Sequence, residues 1–389
     1  MKTIEITIPG SKSLTNRALI MASLTDGLSV IKNASKSEDS VVLIKGLKKL
    51  GVVIIKEDNQ LKIIGNDGNF KAFNGRLYVG NAGTTTRFLT SLITLVPGRV
   101  TIIKSKRMKM RPMKELDDAL KRIRTGKISI RGNTSSQFIT ALMMIAPVLN
   151  KGLVISITGR KISGSYIDMT IDLMKKFGVK IKKIKHNKFI IKKQLYKQTN
   201  YIVESDLSGA SYFFAVAAVT GKTIKVKNIN PNSVQGDIFF PDLLEKMGCQ
   251  VRKNIKKRWI KVKGPKILRG ILVNMENMPD TAQTLAVVAA FAKGKTKIIG
   301  LSTLKIKETD RLLALKNELI KMKIKSEITR DSITITGGNP QKAVIETYGD
   351  HRMAMAFAVA KSRIPELIIK NPGVVKKSFP DFWEKFKKI

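Results

Sequence analysis

One motif recurs along the chain: an amphipathic helix that runs into a strand, in most copies through a glycine. The clearest copies span residues 43–54, 171–181 and 240–251, and weaker copies span 313–324 and 379–389. Strands of alternating isoleucine and valine flank these copies. Because each copy must bury one face of its helix and its strand, the repeats predict an α/β architecture. Their spacing is too irregular for a solenoid.

The length of 389 residues, 43% of them hydrophobic, predicts two or more globular domains. Lysine and arginine number 72 against 29 acidic residues, a formal net charge of +43. Such a charge is typical of nucleic-acid-binding proteins, but the lysines are spread over many elements and only 6% of residues are aromatic. We therefore interpret the charge as the compositional drift of an AT-rich genome, and we predict no specific nucleic-acid partner. The electrostatic field of this positive charge would still attract an anionic substrate.

A single cysteine, Cys249, excludes an internal disulfide and agrees with a reducing compartment. His186 and His351 are the two histidines, so a zinc site has few ligands to draw on. No apolar run reaches the length of a membrane span, and the N-terminus enters a strand at once, unlike a signal peptide. These features predict a cytoplasmic protein with no metal and no membrane segment.

Several predicted helices begin with residues that suit anions. In residues 9–17, a Pro-Gly break, two serines, a lysine and an arginine lie between an alternating strand and an apolar helix. A helix N-terminus offers unpaired N–H groups and partial positive charge, so these residues can hold a phosphate or carboxylate. One such start is usually only a cap. Six of them predict convergence on one multiply charged ligand, the other five being residues 80–87, 135–137, 279–281, 307–311 and 350–352.

Nine segments, in order from Pro9 to the C-terminus, resemble the EPSP synthase (3-phosphoshikimate 1-carboxyvinyltransferase) family of enolpyruvyl transferases. They read PGSKSLTNRAL, GNAGTTTR, RMKMRPM, SSQFITAL, YIDMT, MPDTAQT, KETDRL, GDHRMAMAF and KKSFPDFW. The resemblance implies transfer of the enolpyruvyl group of phosphoenolpyruvate to the 5-hydroxyl of shikimate 3-phosphate, with release of phosphate. That reaction belongs to the shikimate pathway to chorismate and the aromatic amino acids, and it uses no cofactor.

The resemblance also implies an inside-out α/β barrel fold of two similar domains, each of three βαβαββ units, with the active site in the interdomain cleft. The domain on the shikimate-phosphate side would be residues 10–204. The second would combine residues 1–9 and 205–389 and carry the KETDR and DHRMAM motifs. The chain is short near residues 121–134, where one repeat of the first domain looks trimmed. The family resemblance further implies a monomer.

Site residues follow from the matched motifs. Asp280 would take the 5-hydroxyl proton, Glu308 would protonate the methylene carbon of phosphoenolpyruvate and later remove that proton, and Lys12 would assist at the bridging oxygen. The residues implied to hold phosphoenolpyruvate are Lys12, Asn81, Gly83, Arg111, Gln137, Arg311, Arg352 and Lys377. Those implied to hold shikimate 3-phosphate are Lys12, Ser13, Arg17, Ser135, Ser136, Gln137, Ser163, Tyr166, Asp280, Thr303 and Lys307.

Three other interpretations stay open on the sequence. The sister enolpyruvyl transferase that acts on UDP-N-acetylglucosamine usually carries a cysteine acid in a mobile loop, whereas Cys249 lies at a predicted helix end. A basic nucleic-acid-binding protein would explain the charge. An eroded enzyme would explain the trimmed repeat, the Gly164-Ser165 pair that replaces a family lysine and proline, and Thr303, which stands where an asparagine is common.

Overall fold

The structure, a computed structural model, describes residues 2–159, 163–185 and 187–389, and His186 lies outside these ranges. The chain divides into two compact units. The first unit is Gly10–Val203, and the second joins Met1–Pro9 to Glu204–Ile389. No helix in the described part of the chain is long and apolar enough to span a membrane.

Helices and strands alternate through the first half of the chain. Up to Val203 they are β1 (Ile4–Thr7), α1 (Lys12–Ser23), β2 (Asp26–Lys32), α2 (Glu38–Lys49), β3 (Val53–Glu57), β4 (Gln60–Asn66), β5 (Gly75–Gly80), α3 (Gly83–Leu92), β6 (Val100–Lys104), α4 (Lys106–Lys109), α5 (Lys114–Lys121), β7 (Lys127–Arg131), α6 (Ser136–Ile145), β8 (Leu153–Thr158), α7 (Gly164–Lys176), β9 (Lys182–Ile184), β10 (Lys188–Ile191) and β11 (Asn200–Ile202).

The same alternation continues to the C-terminus. The remaining elements are α8 (Leu207–Thr220), β12 (Thr223–Lys227), α9 (Phe240–Lys246), β13 (Gln250–Asn254), β14 (Trp259–Lys263), β15 (Leu268–Arg269), β16 (Leu272–Asn274), α10 (Ala282–Ala290), β17 (Ala292–Lys293), β18 (Lys295–Ile299), α11 (Arg311–Lys321), β19 (Lys325–Ile328), β20 (Ile333–Thr336), β21 (Val344–Ile345), α12 (His351–Lys361), β22 (Ile368–Ile369) and α13 (Phe382–Phe386). The α/β fold class predicted from the sequence is confirmed.

Four sheets share one strand order, in which two parallel strands are followed by an antiparallel pair. The first unit contains β11-β2-β4-β3 and β7-β8-β10-β9, and the second contains β1-β12-β14-β13 and β16-β18-β20-β19. Each has the connectivity of a βαβαββ repeat, apart from the edge strands β1 and β11, which come from distant parts of the chain. The N-terminal strand therefore completes a sheet of the second unit, with Ile4 opposite Ile224.

A third repeat in each unit is shorter. In the first unit the parallel pair β5-β6 stands alone, because the chain between α5 and β7 forms only the helical turn Ile123–Thr125 instead of two more strands. In the second unit β21-β22 is likewise a two-stranded parallel sheet, followed by α13 near the C-terminus. No feature of the sequence had indicated this second shortened repeat.

The helices form the interior of each unit. Helices α8, α10 and α12 are buried on nearly every face, which is why their sequences are apolar all round instead of amphipathic. In the first unit α1, α3 and α6 are similarly enclosed. The four-stranded sheets bury only alternate residues, so they cover these helices and expose lysines on the other face. The N-terminal ends of these buried helices, apart from α8, carry residues that were singled out from the sequence.

Candidate active site

The helix starts in the second unit are built by aspartate caps. Asp310 accepts hydrogen bonds from the backbone N–H groups of Leu312 and Leu313, so α11 begins at Arg311. Asp350 accepts from the N–H of Arg352 at 2.8 Å and caps α12. Each cap satisfies donors that would otherwise be orphaned. The two caps place an arginine in the first turn of each helix.

Arg311 is the centre of a charge network. Its side chain is 1% exposed, and its Nε donates to Asp350 Oδ2 at 2.7 Å. Its Nη2 donates to Glu308 Oε2 at 2.9 Å, and its Nη1 lies 3.4 Å from Asp280 Oδ1. Burial lowers the pKa of the guanidinium, but the three carboxylates outweigh burial and raise the pKa above its usual value. Arg311 therefore stays charged and holds the carboxylates in place.

Asp280 and Glu308 each contact further cations. Asp280 accepts from Arg352 Nη2 at 2.8 Å, and Lys307 Nζ lies 3.8 Å from its other oxygen. Glu308 Oε1 lies 3.5 Å from Lys377 Nζ. The two carboxylate side chains are only 17% and 8% exposed, respectively. Two carboxylates held by four cations can exchange protons with a ligand while the cations bind its anionic groups.

Asp237 is a buried carboxylate that the sequence analysis missed. It lies on the helical turn Gly236–Phe239 and accepts a hydrogen bond from Ser208 near the start of α8. Burial is the main reason that its pKa rises to about 7, and the charge of Asp280 adds to the effect. In the sequence, Asp237 appears only as part of a Gly-Asp pair before the helix of the 240–251 copy of the repeated motif. Such a pair is too common to identify a site.

Within the described part of the chain, no hydrogen bond or ion pair joins the predicted residue Thr303 to this network. It lies on the helical turn Ser302–Ile306 and is 8% exposed. Its Oγ1 atom is buried and has no hydrogen-bond partner among the described residues. Asp350 was expected only to cap a helix, but it also accepts the shortest hydrogen bond from Arg311.

In the first unit, the start of α1 contacts two other helices. Lys12 Nζ lies 3.0 Å from Asp39 Oδ2 in the first turn of α2. Arg17 is buried, and its Nε donates to Thr170 Oγ1 of α7 at 2.7 Å. Its Nη1 donates to the carbonyl oxygen of Ser13, and its guanidinium lies 6.0 Å from the ring centre of Tyr166. Burial lowers the pKa of Arg17 to about 10, so it remains a cation at neutral pH.

A second set of contacts joins α3 to α6. Arg87 Nη1 donates to Gln137 Oε1 at 2.7 Å, which leaves the amide N–H groups of Gln137 facing Thr84 Oγ1 at 3.3 Å. Gly83 opens α3, where a Cβ atom would lie only 2.6 Å from Arg111 Nη1. Glycine is therefore required for the guanidinium of Arg111 to approach this helix start.

The remaining predicted residues of the first unit lie at or beside helix starts. Ser135 caps α6 by accepting from the N–H of Gln137, and Ser136 is its first helical residue. Ser163 precedes α7 with a left-handed backbone, φ +52°. Asn81 lies just before α3. Asp39 lies in none of the matched motifs, and only its contact with Lys12 identifies it. Arg87 ends the GNAGTTTR motif but was given no role, and its bond to Gln137 places it beside the predicted residues.

The sequence profile of the family described as EPSP synthase (3-phosphoshikimate 1-carboxyvinyltransferase) matches residues 3–126 and 121–386. The two matches meet at the short segment before β7. The 3-phosphoshikimate 1-carboxyvinyltransferase of Nostoc punctiforme is 39% identical, over 98% of this chain and 95% of its own. That of Escherichia coli is also 39% identical, over 99% and 96%.

Solved structures agree on the fold. The EPSP synthase of Acinetobacter baumannii superimposes with a TM-score of 0.81, covering 100% of this chain and 96% of its own at 23% identity. At that identity the likeness establishes the fold alone. The profile match covers nearly the whole chain, and the relatives are far above the identity that chance alignment produces. The chain belongs to the EPSP synthase (3-phosphoshikimate 1-carboxyvinyltransferase) family.

Proposed function

We propose that this enzyme joins the enolpyruvyl group of phosphoenolpyruvate to the 5-hydroxyl of shikimate 3-phosphate and releases phosphate. One observation carries the proposal: Asp280 and Glu308 are held by the same arginine, Arg311, inside a ring of further cations. Such a pair can supply a base for one reactant and an acid for the other. The reaction needs both.

In the addition step, Asp280 would accept the proton of the 5-hydroxyl as that oxygen bonds to C2 of phosphoenolpyruvate. Glu308 would donate a proton to C3, which becomes a methyl group. In the elimination step, Glu308 would take a proton back from that methyl group as the bond from C2 to the phosphate oxygen breaks, and the proton held by Asp280 would leave with the phosphate. Lys12 would stabilise the charge on the bridging oxygen.

The two substrates carry phosphate and carboxylate groups, so their binding requires many cations and N–H donors. We assign phosphoenolpyruvate to Lys12, Asn81, Gly83, Arg111, Gln137, Arg311, Arg352 and Lys377. We assign shikimate 3-phosphate to Lys12, Ser13, Arg17, Ser135, Ser136, Gln137, Ser163, Tyr166, Asp280, Thr303 and Lys307. Both units contribute to these sets, so neither unit alone would be competent.

The alternatives have less support. Burial raises the pKa of the Cys249 thiol to about 12, so it is a poor proton donor and does not match the cysteine acid of the UDP-N-acetylglucosamine enzymes. The ordered Asp280, Glu308 and Arg311 network argues against an eroded site. We further propose that the enzyme acts as a monomer in the cytoplasm and has no specific nucleic-acid partner.

The test is phosphate release from phosphoenolpyruvate, measured with and without shikimate 3-phosphate. We expect release only when both substrates are present, together with enolpyruvyl shikimate 3-phosphate as product. UDP-N-acetylglucosamine in place of shikimate 3-phosphate should give none. Release with the UDP sugar, or no release with either acceptor, would contradict the proposal.

A further inference from the structure

Glu318 is a carboxylate buried inside the second unit, and it is not among the residues assigned to the reaction. It lies on α11 with its side chain 0% exposed. Lys321 Nζ lies 2.8 Å from Oε2 and 2.9 Å from Oε1. A fully buried carboxylate is retained only where donors compensate for the loss of water. Two further donors to Glu318 among the described residues come from one other segment of the chain.

That segment is residues 346–350, between β21 and α12. The hydroxyl of Tyr348 donates to Glu318 Oε1 at 2.6 Å, and the backbone N–H of Glu346 donates to Oε2 at 3.0 Å. Tyr348 adopts a left-handed backbone with φ +54°, which is rare for a bulky residue, and Gly349 follows with φ +66°. The carboxylate therefore holds a turn whose backbone does not form readily by itself.

The same turn is attached to α11 at its other end. Asp350 is bound by Arg311, which precedes Glu318 by seven residues, or two helical turns, so both side chains lie on one face of α11. One helix face thus binds the turn at residues 346 and 348 through a carboxylate and at residue 350 through a guanidinium. Asp350 in turn caps α12, where Arg352 projects toward Asp280 at 2.8 Å.

We propose that Glu318, through Tyr348 and Glu346, is a positioning residue that holds the turn before α12 so that Arg352 is correctly placed for phosphoenolpyruvate. The inference rests on the proposed function, in which Arg352 binds that substrate. Glu318 itself touches no reacting atom. Burial and the bond to Glu318 raise the pKa of Tyr348 to about 12, so its hydroxyl remains a donor at neutral pH.

The test uses Glu318→Gln and Tyr348→Phe in the full-length enzyme. A glutamine offers one acceptor where the turn needs two, and a phenylalanine removes only the hydroxyl. We expect KM for phosphoenolpyruvate to rise roughly 10-fold or more in Glu318→Gln, and less in Tyr348→Phe, because small misplacements of a binding group are costly. KM for shikimate 3-phosphate should stay within about 2-fold of the unaltered enzyme, since the guanidinium of Arg352 is assigned to the other substrate.

A second measurement is independent of activity. Hydrogen exchange of the backbone amides at residues 346–352 should be faster in both variants than in the unaltered protein. Lys253→Met is the matched control, because Lys253 forms a surface ion pair with Asp242 at 2.5 Å in another repeat of the same unit. That variant should leave both exchange and KM unchanged.

The outcomes separate the two proposals. If the unaltered enzyme releases phosphate but both variants keep its KM for phosphoenolpyruvate and its exchange rates, the role of Glu318 is wrong and the function stands. If the unaltered enzyme releases no phosphate, the proposed function is wrong and the positioning role falls with it. Should Glu318→Gln fail to fold, Tyr348→Phe alone decides, because it keeps the carboxylate and its bonds to Lys321 and Glu346.

Discussion

At the scale of single residues, Glu308 is the most direct test of the chemistry. Glu308→Gln keeps the side-chain shape and removes proton transfer, so turnover should fall roughly 10²- to 10⁴-fold. Steady-state kinetics at saturating substrates would measure this. Asp310→Asn is the matched control, since asparagine caps a helix as well as aspartate and the bonds of Asp310 to described residues are those that cap α11. Near-normal turnover in Glu308→Gln would remove it from the mechanism.

Asp237 predicts a pH dependence of stability. Its pKa is about 7 in the folded state and about 3.9 in the unfolded chain. Between these two pH values the folded protein keeps the carboxyl protonated, whereas the unfolded chain has lost that proton. Stability from this group is therefore complete below about pH 4 and is lost as the pH rises through 7. Each unit of pKa difference corresponds to about 1.4 kcal/mol.

Asp237→Asn should remove this dependence, because an amide keeps the shape and cannot ionise. Thermal unfolding at pH 5, 6, 7 and 8 should show that Tm declines less with pH in the variant than in the unaltered protein. The difference in Tm between the two proteins should be greatest at pH 8. Parallel Tm curves for the two proteins would show that Asp237 does not titrate in this range.

At the scale of elements, the start of α3 depends on a close approach. A Cβ on Gly83 would lie 2.6 Å from Arg111 Nη1 and 2.9 Å from its Cζ, so Gly83→Ala must displace the guanidinium. We expect KM for phosphoenolpyruvate to rise while the fold is retained, because the far end of a long side chain can move. Ser91→Ala, in the same helix, is the control that leaves Arg111 in place. An unchanged KM in Gly83→Ala would mean that Arg111 does not bind this substrate.

At the scale of the whole molecule, the net charge of +43 predicts a salt effect on encounter with substrate. The Debye length is about 10 Å at 0.1 M salt, so added salt should lower kcat/KM for both anionic substrates and leave kcat nearly unchanged. Kinetics from low to physiological ionic strength would measure this, with thermal unfolding to verify that the fold persists. A tight, specific complex with DNA or RNA at physiological salt would instead favour the nucleic-acid interpretation.

The sequence by itself determined the fold class and the family. Helix and strand periodicities are local properties of the chain, and the repeated helix-to-strand motif is enough to indicate an α/β fold. The helix starts could also be predicted, since a capping residue such as Asp310 or Ser135 bonds to N–H groups within three residues of its own position. The predicted site residues could also be named from the sequence, because each lies within a short contiguous motif.

Only the tertiary structure decided which of these residues meet. Arg311 pairs with Asp280, 31 residues earlier, and with Asp350, 39 residues later, and no local pattern encodes either distance. Glu318 looked like an ordinary acidic residue on an amphipathic helix until its partners at residues 346 and 348 were known. A buried charge is tolerated only with a partner, and for Arg311 and Glu318 key partners come from distant segments of the chain, so burial and pairing emerge only when those segments pack together.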